Sequence, residues 1–330
     1  MEESRTVGEV FGAIDIGTGS VLCLAVEKTA MGLGRELLNE SIITGLGAGT
    51  ASDPAVRQES MERTVAAVAS YVEKLRELGA ARVSIVGTSA LRKAPNRGQF
   101  AAAVRRQTGL EVEVISGEEE ARLTFWGATY GVLLFTGRVV VMDVGGGSTE
   151  LVLGSVGSRE ASKPAQPELA VSVPIGALVL TDRFITCYPT DCAETEQLRA
   201  AIRDELRGTE VKKFVERAKS SPLNPLLVAV GGSATTLVAM EHNVVPYAPE
   251  RVQGVRVTQD VILKHLDKLG KMSLAQRHQI PSLPRGRAPV IDAGLLILHE
   301  LLALFGASTM MVSDRGLRYG VIVRDSLRPA

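Results

Sequence analysis

The chain has 330 residues, which is more than one hydrophobic core usually serves, so we expect two domains. Hydrophobic residues make up 45% and charged residues 22%, and the 37 basic residues balance the 37 acidic ones, which argues against a general nucleic-acid-binding protein. No apolar run reaches membrane-spanning length, the acidic start is unlike a signal peptide, and the three cysteines fit reduced thiols, so we expect a cytoplasmic protein with no membrane or nucleic-acid partner.

Runs of β-branched and aliphatic residues predict strands that alternate with helices. The predicted strands span residues 10–14, 21–26, 83–87, 112–115, 139–142, 151–153, 169–173, 226–230 and 310–313. Apolar residues at helical spacing predict helices over 57–78, before Gly208, and over 293–305. Segment 154–168 is predicted to be an exposed loop, and 279–289 a second irregular segment. This mixture predicts an α/β fold.

An internal repeat is the most informative feature of the chain. Residues 13–27 and 141–155 both read as an apolar strand, the pattern D-x-G-x-G-S, and a second apolar strand. Two copies of one β-turn-β unit predict a duplicated domain, with the two turns facing each other across a cleft.

The two glycine turns of this repeat are suited to holding phosphate. Glycines allow a tight turn and expose successive backbone N–H groups to an anion, and hydroxyl groups add donors. The predicted phosphate-binding residues are Thr18, Gly19 and Ser20 in one turn and Gly145, Gly146, Gly147 and Ser148 in the other. Asp15 and Asp143 stand where each strand ends, and a carboxylate there repels phosphate unless a cation intervenes. We therefore infer Mg²⁺, with Mn²⁺ as the alternative ion.

Two other segments carry candidate phosphate ligands, each with a structural alternative. Gly231, Gly232 and Ser233 join a strand to a helix whose N-terminus suits an anion, although plain strand–helix packing explains the same glycines. Arg92 and Asn96 follow another strand and offer N–H donors to phosphate oxygens, although a solvated helix end has the same composition.

A capping box at Ser116 and Glu119 predicts a helix start. Acidic residues in a first helical turn usually serve the helix dipole, which explains Glu118 and Glu119 and leaves Glu120 as a candidate base. The chain contains no P-loop and no nucleophile elbow, and its histidines stand in no ligand spacing.

Together these motifs resemble the exopolyphosphatase/guanosine pentaphosphate phosphohydrolase family of the actin/Hsp70/sugar-kinase superfamily. The similarity runs from Phe11 to Val323 and is carried by "AIDIGTGS", "GTSALRKAPN", "VISGEEEARL", "VMDVGGGSTELVLG", "VGGSATTLVAM" and "VSDRGLRYGVI". Gly19 stands where the family usually has Asn, Tyr319 stands where it usually has Glu, and "LPRGRAPVI" modifies a P-x-RA-x-x-I segment. The chain resembles the short members, which lack a C-terminal helical domain.

The resemblance implies two RNase H-like domains with an active site between them. Residues 1–130, joined by a C-terminal helix over 314–330, would form the first domain, and residues 131–313 the second. It also implies Mg²⁺-dependent hydrolysis of the terminal phosphate of inorganic polyphosphate. Glu120 is then the base for the attacking water, and Asp143 and Glu150 are the acidic residues that, with Asp15, organise the metal. We also expect a homodimer.

Several alternatives stay open. The same pocket suits guanosine pentaphosphate (pppGpp), and the paired turns also suit an ATP-using sugar kinase, an Hsp70-like ATPase, a nucleotide or polyphosphate sensor, or an actin-like filament. We expect polyphosphate, because a basic track favours a polyanion and only 4% of residues are aromatic. We expect short chains above long ones, because without the long members' extra domain the track is shorter. The basic residues of this expected track, away from the glycine turns, are Lys212, Lys213, Arg217, Lys219, Arg285 and Arg287.

Overall fold

The computed structural model describes residues 9–29, 32–50, 53–129, 136–157 and 164–328. The strands are β1 (Glu9–Ile16), β2 (Ser20–Thr29), β3 (Gly32–Ile43), β4 (Arg82–Gly87), β5 (Val112–Val114), β6 (Gly137–Val144), β7 (Thr149–Val156), β8 (Pro167–Val173), β9 (Leu226–Val230), β10 (Arg256–Thr258) and β11 (Thr309–Val312). The helices are α1 (Gln58–Glu77), α2 (Ser89–Lys93), α3 (Arg97–Thr108), α4 (Gly117–Thr129), α5 (Ala177–Phe184), α6 (Cys192–Leu206), α7 (Thr209–Ala218), α8 (Gly232–Glu241), α9 (Gln259–Gly270), α10 (Leu274–Arg277), α11 (Ile291–Phe305) and α12 (Leu317–Ser326).

The strands and helices predicted from the sequence are present. Strands β3 and β10 were missed, because β3 carries charged and amide side chains without a clear alternation and β10 has three residues. Segment 279–289 is irregular, as predicted. The predicted loop 154–168 is wrong at its ends, where β7 and β8 extend into it, and its centre, 158–163, lies outside the described residues.

Among the described residues, the strands form two mixed sheets with the orders β3-β2-β1-β4-β5 and β10-β11-β9-β6-β7-β8. In the first sheet β1 pairs antiparallel with β2 and parallel with β4, and in the second β6 pairs antiparallel with β7 and parallel with β9. The order 3-2-1-4-5 therefore recurs as 8-7-6-9-11, with β10 added at the edge. This confirms the duplication and the α/β fold class predicted from the sequence.

The central strands are apolar on both faces because each separates two cores. In β6, Val139 and Val141 face the core that lies between the two sheets, whereas Val140 and Met142 face the core formed with the helices of the second sheet. By the same two-residue period, Asp143 lies on the face that looks toward the first sheet. In β1, Phe11 and Ala13 lie in the same core between the sheets. By the two-residue period, Asp15 therefore lies on the face of β1 that looks toward the second sheet, which contains Asp143.

Helices α4 and α12 follow the last strand of each repeat and pack against each other between the sheets. Their backbones are in contact, since a Cβ on Gly320 would lie 1.8 Å from the Leu123 carbonyl oxygen and a Cβ on Gly127 would lie 2.0 Å from that of Gly316. Helix α12 also packs on β1 and β2. The predicted domain boundary at 130/131 lies outside the described residues, so the domain limits stay a prediction. No helix in the described part of the chain is long and apolar enough to cross a membrane.

We expect Gly320→Ala to destabilise the protein by about 3 kcal/mol or more, because the added methyl group would force α4 and α12 apart. Gly98→Ala in α3 is the matched control, since a Cβ there meets nothing within 4 Å, and it should be neutral or stabilise by up to about 1 kcal/mol. Urea unfolding of the two variants measures the difference. Equal midpoints would show that the helix contact is not tight.

Candidate active site

A cavity of about 900 Å³ opens where the carboxyl ends of β1, β4, β6 and β9 face each other across the two sheets. Ligands bind at this end of the strands in open α/β sheets, because the loops there converge. The predicted residues that line the cavity are Asp15, Thr18, Gly19, Ser20, Glu120, Asp143, Gly145, Gly146, Gly147, Ser148, Glu150, Gly231, Gly232 and Ser233. The structure thus brings together the three glycine turns and the four acidic candidates.

Each acidic side chain is held in the cavity by a regular element. Asp15 and Asp143 stand near the ends of β1 and β6, and Glu150 is the cross-strand partner of Asp143 in the antiparallel β6–β7 pair. Glu120 lies in the first turn of α4, and its backbone N–H donates to the Ser116 carbonyl group at 2.9 Å. Asp15, Glu120 and Glu150 are buried, and Asp143 is half-buried.

Burial makes these carboxyl groups hard to ionise. It raises the pKa of Asp143 to about 8, with further contributions from the charges of Glu150 and Asp15. It raises the pKa of Glu120 to about 8, with the Glu150 charge next and Arg92 opposing the shift. The pKa of Asp15 rises to about 7, again through burial, with the Arg318 charge opposing. Burial also raises the pKa of Glu150, although hydrogen bonds from Ser148 and Ser172 oppose this shift.

The turns of the repeat meet directly. A Cβ on Gly146 would lie 3.1 Å from the Gly19 nitrogen, and a Cβ on Gly147 would lie 2.7 Å from the Thr18 hydroxyl oxygen. Glycine is therefore required in the second turn by close approach of the first, whereas a Cβ on Gly19 would meet nothing within 4 Å. A Cβ on Gly147 would also lie 3.4 Å from the Ser89 hydroxyl oxygen. Ser89, which was not predicted from the sequence, therefore lies beside the two turns.

The two candidates from the "GTSALRKAPN" segment lie outside the cavity lining. Arg92 donates from Nη1 to Glu120 Oε2 at 2.9 Å and to the Ile115 carbonyl group at 2.9 Å, so it orients the candidate base. The side-chain amide of Asn96 makes two hydrogen bonds to the backbone of Val56. Asn96 Oδ1 accepts from the Val56 N–H group at 3.0 Å, and Asn96 Nδ2 donates to the Val56 carbonyl group at 2.8 Å. The structure thus gives Asn96 a structural role and places no phosphate contact on it.

Arg287 is a cavity residue that the sequence analysis misplaced. We expected it away from the glycine turns, but its guanidinium group lies against α8, where a Cβ on Gly232 would be 1.6 Å from Nη1. Arg287 also donates to the Thr236 hydroxyl group at 3.3 Å, and among the described residues no carboxylate forms an ion pair with it. Arg285 lines the same cavity. An arginine without a carboxylate partner beside a helix N-terminus favours an anion there.

The rest of the expected basic track is wrong. Lys212, Lys213 and Arg217 lie on α7 and Lys219 directly follows it, and none of the four belongs to the cavity lining within the described chain. Lys213 pairs with Glu210 at 2.9 Å, and Lys219 donates to a backbone carbonyl group. These residues form a solvated surface, which periodicity alone could not distinguish from a binding track.

The donor set of the cavity fits a magnesium ion that is bound together with phosphate. No three His, Cys, Asp or Glu side chains of the described residues converge as a metal-binding group. Mg²⁺ commonly uses one or two carboxylates and takes its other ligands from phosphate oxygens and water. The Asp15 Oδ1 atom is buried without a hydrogen-bond partner, and the raised pKa of Asp143 shows that its ionisation is unfavourable without a nearby positive charge, so a cation would stabilise the ionised form of both carboxyl groups.

Residues 24–328 match the model of the Ppx/GppA phosphatase family. The chain belongs to this family. It is 32% identical to Exopolyphosphatase 2 of Mycobacterium tuberculosis, over 94% of this chain and 96% of that protein, and 26% identical to Exopolyphosphatase 1 of Mycobacterium leprae, over 95% and 88%. Its fold is similar to the crystal structure of the Aquifex aeolicus Ppx/GppA family member, with 32% identity, a TM-score of 0.75 and 97% and 98% of the two chains covered.

The fold is also similar to that of an exopolyphosphatase-like protein, with 26% identity, a TM-score of 0.85 and 97% and 99% of the chains covered. These findings confirm the family resemblance and an enzyme of the hydrolase class. Of the three departures from the family pattern, two are single residues: Gly19 leaves open space in the cavity, and Tyr319 is buried with its hydroxyl group accepting from Asn39 Nδ2 at 3.1 Å. Arg315 and Arg318 lie over its ring, so an aromatic face takes the place of a carboxylate.

We expect Asp143→Asn to stabilise the metal-free protein at pH 8. Between the ordinary pKa of 3.8 and the folded value of about 8, the native state keeps a proton that the unfolded state loses, so stability falls as pH rises through this window. Asparagine does not titrate, and each kcal/mol regained should raise Tm by about 2–4 °C. Thermal unfolding in EDTA at pH 5 and pH 8 measures this.

Adding Mg²⁺ should then raise the Tm of the wild type more than that of Asp143→Asn, because a ligand that binds the folded state stabilises it. Asp267→Asn is the control, since that carboxylate is exposed and paired with Lys271. Equal Mg²⁺ responses in wild type and Asp143→Asn would remove Asp143 from the metal site.

Proposed function

We propose that the chain is a Mg²⁺-dependent exopolyphosphatase that hydrolyses the terminal phosphoanhydride of inorganic polyphosphate. The observation that carries this proposal is the joint lining of one cavity by three glycine turns, by an arginine that has no carboxylate partner among the described residues, and by four acidic side chains, three buried and one half-buried. The exopolyphosphatases among its relatives support the same reading. Phosphoryl transfer needs positioning and charge neutralisation more than covalent help, and this inventory provides both.

Glu120 is the proposed base for the attacking water. Its pKa of about 8 keeps it a useful proton acceptor near neutral pH, because a general base works best when its pKa is close to the working pH. The 2.9 Å bond from Arg92 fixes one carboxylate oxygen and leaves the other free to take the proton. Arg92 is thus a positioning residue, and its predicted direct grip on phosphate stays a prediction.

The glycine turns and Arg287 hold the substrate. Backbone N–H groups of the turns at Gly145–Ser148 and Gly231–Ser233 offer donors to phosphate oxygens, and Arg287 adds a positive charge beside the second of these turns. When bound by Asp143 with Asp15 and Glu150, Mg²⁺ would neutralise charge on the terminal phosphate. The burial of the cavity strengthens each of these interactions.

A second candidate substrate, pppGpp, is favoured by an apolar wall of the cavity. Val245, Pro246 and Tyr247, which are consecutive in the chain, form this wall, and Tyr247 is 47% exposed, so its ring is available for stacking. The low aromatic content of the sequence, 4%, gave no indication of this ring. This wall gives a purine base a place to bind, which the glycine turns do not.

Several finer expectations stay predictions. The homodimer and the cytoplasmic location rest on the resemblance and on the three free cysteines of the described chain. Membership of a phosphatase family favours hydrolysis over the sugar kinase, ATPase, sensor and filament alternatives. Phosphate release from polyphosphate, pppGpp and ATP, measured side by side with Mg²⁺, separates them.

We expect Glu120→Gln to lower kcat roughly 10²- to 10⁴-fold while leaving phosphate binding nearly unchanged, because it removes the proton acceptor but keeps the shape. In the wild type, activity should fall as pH drops through about 8, where Glu120 takes up a proton, and added Mg²⁺ should move this limb to lower pH. The control is Glu118→Gln, an exposed neighbour. A Glu120→Gln variant with wild-type kcat would show that Glu120 is not the general base.

We expect kcat/KM for short polyphosphate to exceed kcat/KM for both pppGpp and long polyphosphate. The reason is that the glycine turns, Arg285 and Arg287 all act on phosphate within one cavity of limited size. Tripolyphosphate, a long chain and pppGpp are compared at two salt concentrations, since screening weakens contacts to a polyanion. Tyr247→Ala should lower kcat/KM for pppGpp roughly tenfold through lost stacking and leave tripolyphosphate unchanged.

Tyr247→Phe is the control, because it keeps the ring and removes only the hydroxyl group that bonds to Asp314. A higher kcat/KM for pppGpp that does not respond to salt would promote the second candidate over polyphosphate.

A further inference from the structure

The segment that carries Arg285 and Arg287 into the cavity, residues 281–289, has no regular secondary structure. Its internal bonds are those of turns, such as Arg287 N–H to the Pro284 carbonyl group at 2.8 Å and Ile291 N–H to the Arg287 carbonyl group at 3.0 Å. Turns of this kind fix the local path of the chain but not its place relative to α8. Arg287 nevertheless lies within van der Waals contact of Gly232, so other groups must fix the segment.

Arg277, the last residue of α10, makes the contacts that do this. It is fully buried, and it donates to the Ala288 carbonyl group at 3.0 Å, to the Leu269 carbonyl group at 2.7 Å and to Asp292 Oδ2 at 2.6 Å. One guanidinium group therefore joins the end of α9, the residue after Arg287 and the first turn of α11.

Tyr188 completes this attachment from another part of the chain. The Arg277 guanidinium group lies 4.6 Å from the centre of the Tyr188 ring, and the Tyr188 hydroxyl group donates to the Pro289 carbonyl group. The carbonyl groups of the two residues that follow Arg287 are thus both held by side chains from outside the segment.

Stability alone does not explain Arg277. A buried ion pair often contributes nothing relative to apolar side chains of the same volume, because both charges lose their hydration. Here the ion pair is incomplete as well, since Arg277 Nε and Asp292 Oδ1 are buried without hydrogen-bond partners. What Arg277 offers beyond an apolar side chain is a planar fork that reaches three fixed acceptors at once.

We propose that Arg277 is a positioning residue that fixes segment 281–289 so that Arg287 faces the N-terminus of α8. The proposal rests on the proposed function in one respect, namely that Arg287 contacts a phosphate of the substrate. Arg277 itself does not line the cavity within the described residues, and it acts through Arg287.

A double-mutant cycle with tripolyphosphate tests this. Arg287→Met should lower kcat/KM roughly 10- to 100-fold, the loss of a charged hydrogen bond, and Arg277→Met should lower it roughly tenfold, mainly through KM. The double variant should then match Arg287→Met within about twofold, because a residue that acts only through Arg287 has no further effect once Arg287 is gone. Effects that multiply would overturn the proposal.

Arg324→Met is the matched control. Arg324 is also buried, pairs with Asp325 and leaves one nitrogen without a partner, but it lies at the end of α12 away from the cavity lining. It should change stability without changing KM. If Arg277→Met does not fold, Arg277→Met/Asp292→Asn, which also removes the orphaned carboxylate, enters the cycle instead.

Limited proteolysis keeps the proposal testable if the wild type hydrolyses no phosphate substrate, an outcome that would defeat the proposed function alone. Arg285 is exposed, and trypsin cleaves after it only when segment 281–289 loosens. Cleavage at Arg285, followed by mass spectrometry, should be at least roughly tenfold faster in Arg277→Met than in wild type and Arg324→Met. Equal rates would show that Arg277 does not fix the segment.

Discussion

The loss of hydration by four carboxyl groups that line one cavity is the constraint on which the rest of the structure depends. Burial raises the pKa of Asp15, Glu120, Asp143 and Glu150, because each carboxylate would lose hydration on ionising in the cavity. A folded protein keeps such a cluster only if the surrounding structure holds it in place. A divalent cation would offset this cost, because it stabilises the ionised form of the carboxyl groups.

The scaffold that supplies this restraint is the duplicated sheet. Each repeat delivers one aspartate at the carboxyl end of its first strand, and the contact of α4 with α12 brings the two sheets face to face. Because Gly127 and Gly320 allow the backbones of these helices to touch, the cleft is narrow enough for the turn at Thr18 to meet the turn at Gly146. Glu120 lies on α4 itself, so the helix contact that joins the repeats also sets how deep the Glu120 carboxyl group lies in the cavity.

The arginines around the cavity have different electrostatic roles. Arg92 lies against Glu120 and limits the rise in its pKa, whereas Arg318 does the same for Asp15 and bonds to Asn39 and the Cys23 carbonyl group. Arg287 has no carboxylate partner among the described residues, so its guanidinium group is available to bind an anion. The basic residues of α7, by contrast, are engaged on the surface. Position relative to the cleft, and not the number of charges, decides which arginines can contact a substrate.

The sequence by itself determined the duplicated α/β fold, the two D-x-G-x-G-S turns and the acidic residues of the cavity, because strand period and glycine chemistry are local properties of the chain. It could not place Arg287 or Tyr247 at the cavity or remove Asn96 and α7 from it, since these depend on which distant segments pack together. Arg277 is the clearest case. Nothing around it in sequence indicates a role, and only the tertiary structure brings the Leu269, Ala288 and Asp292 acceptors within reach of one buried guanidinium group.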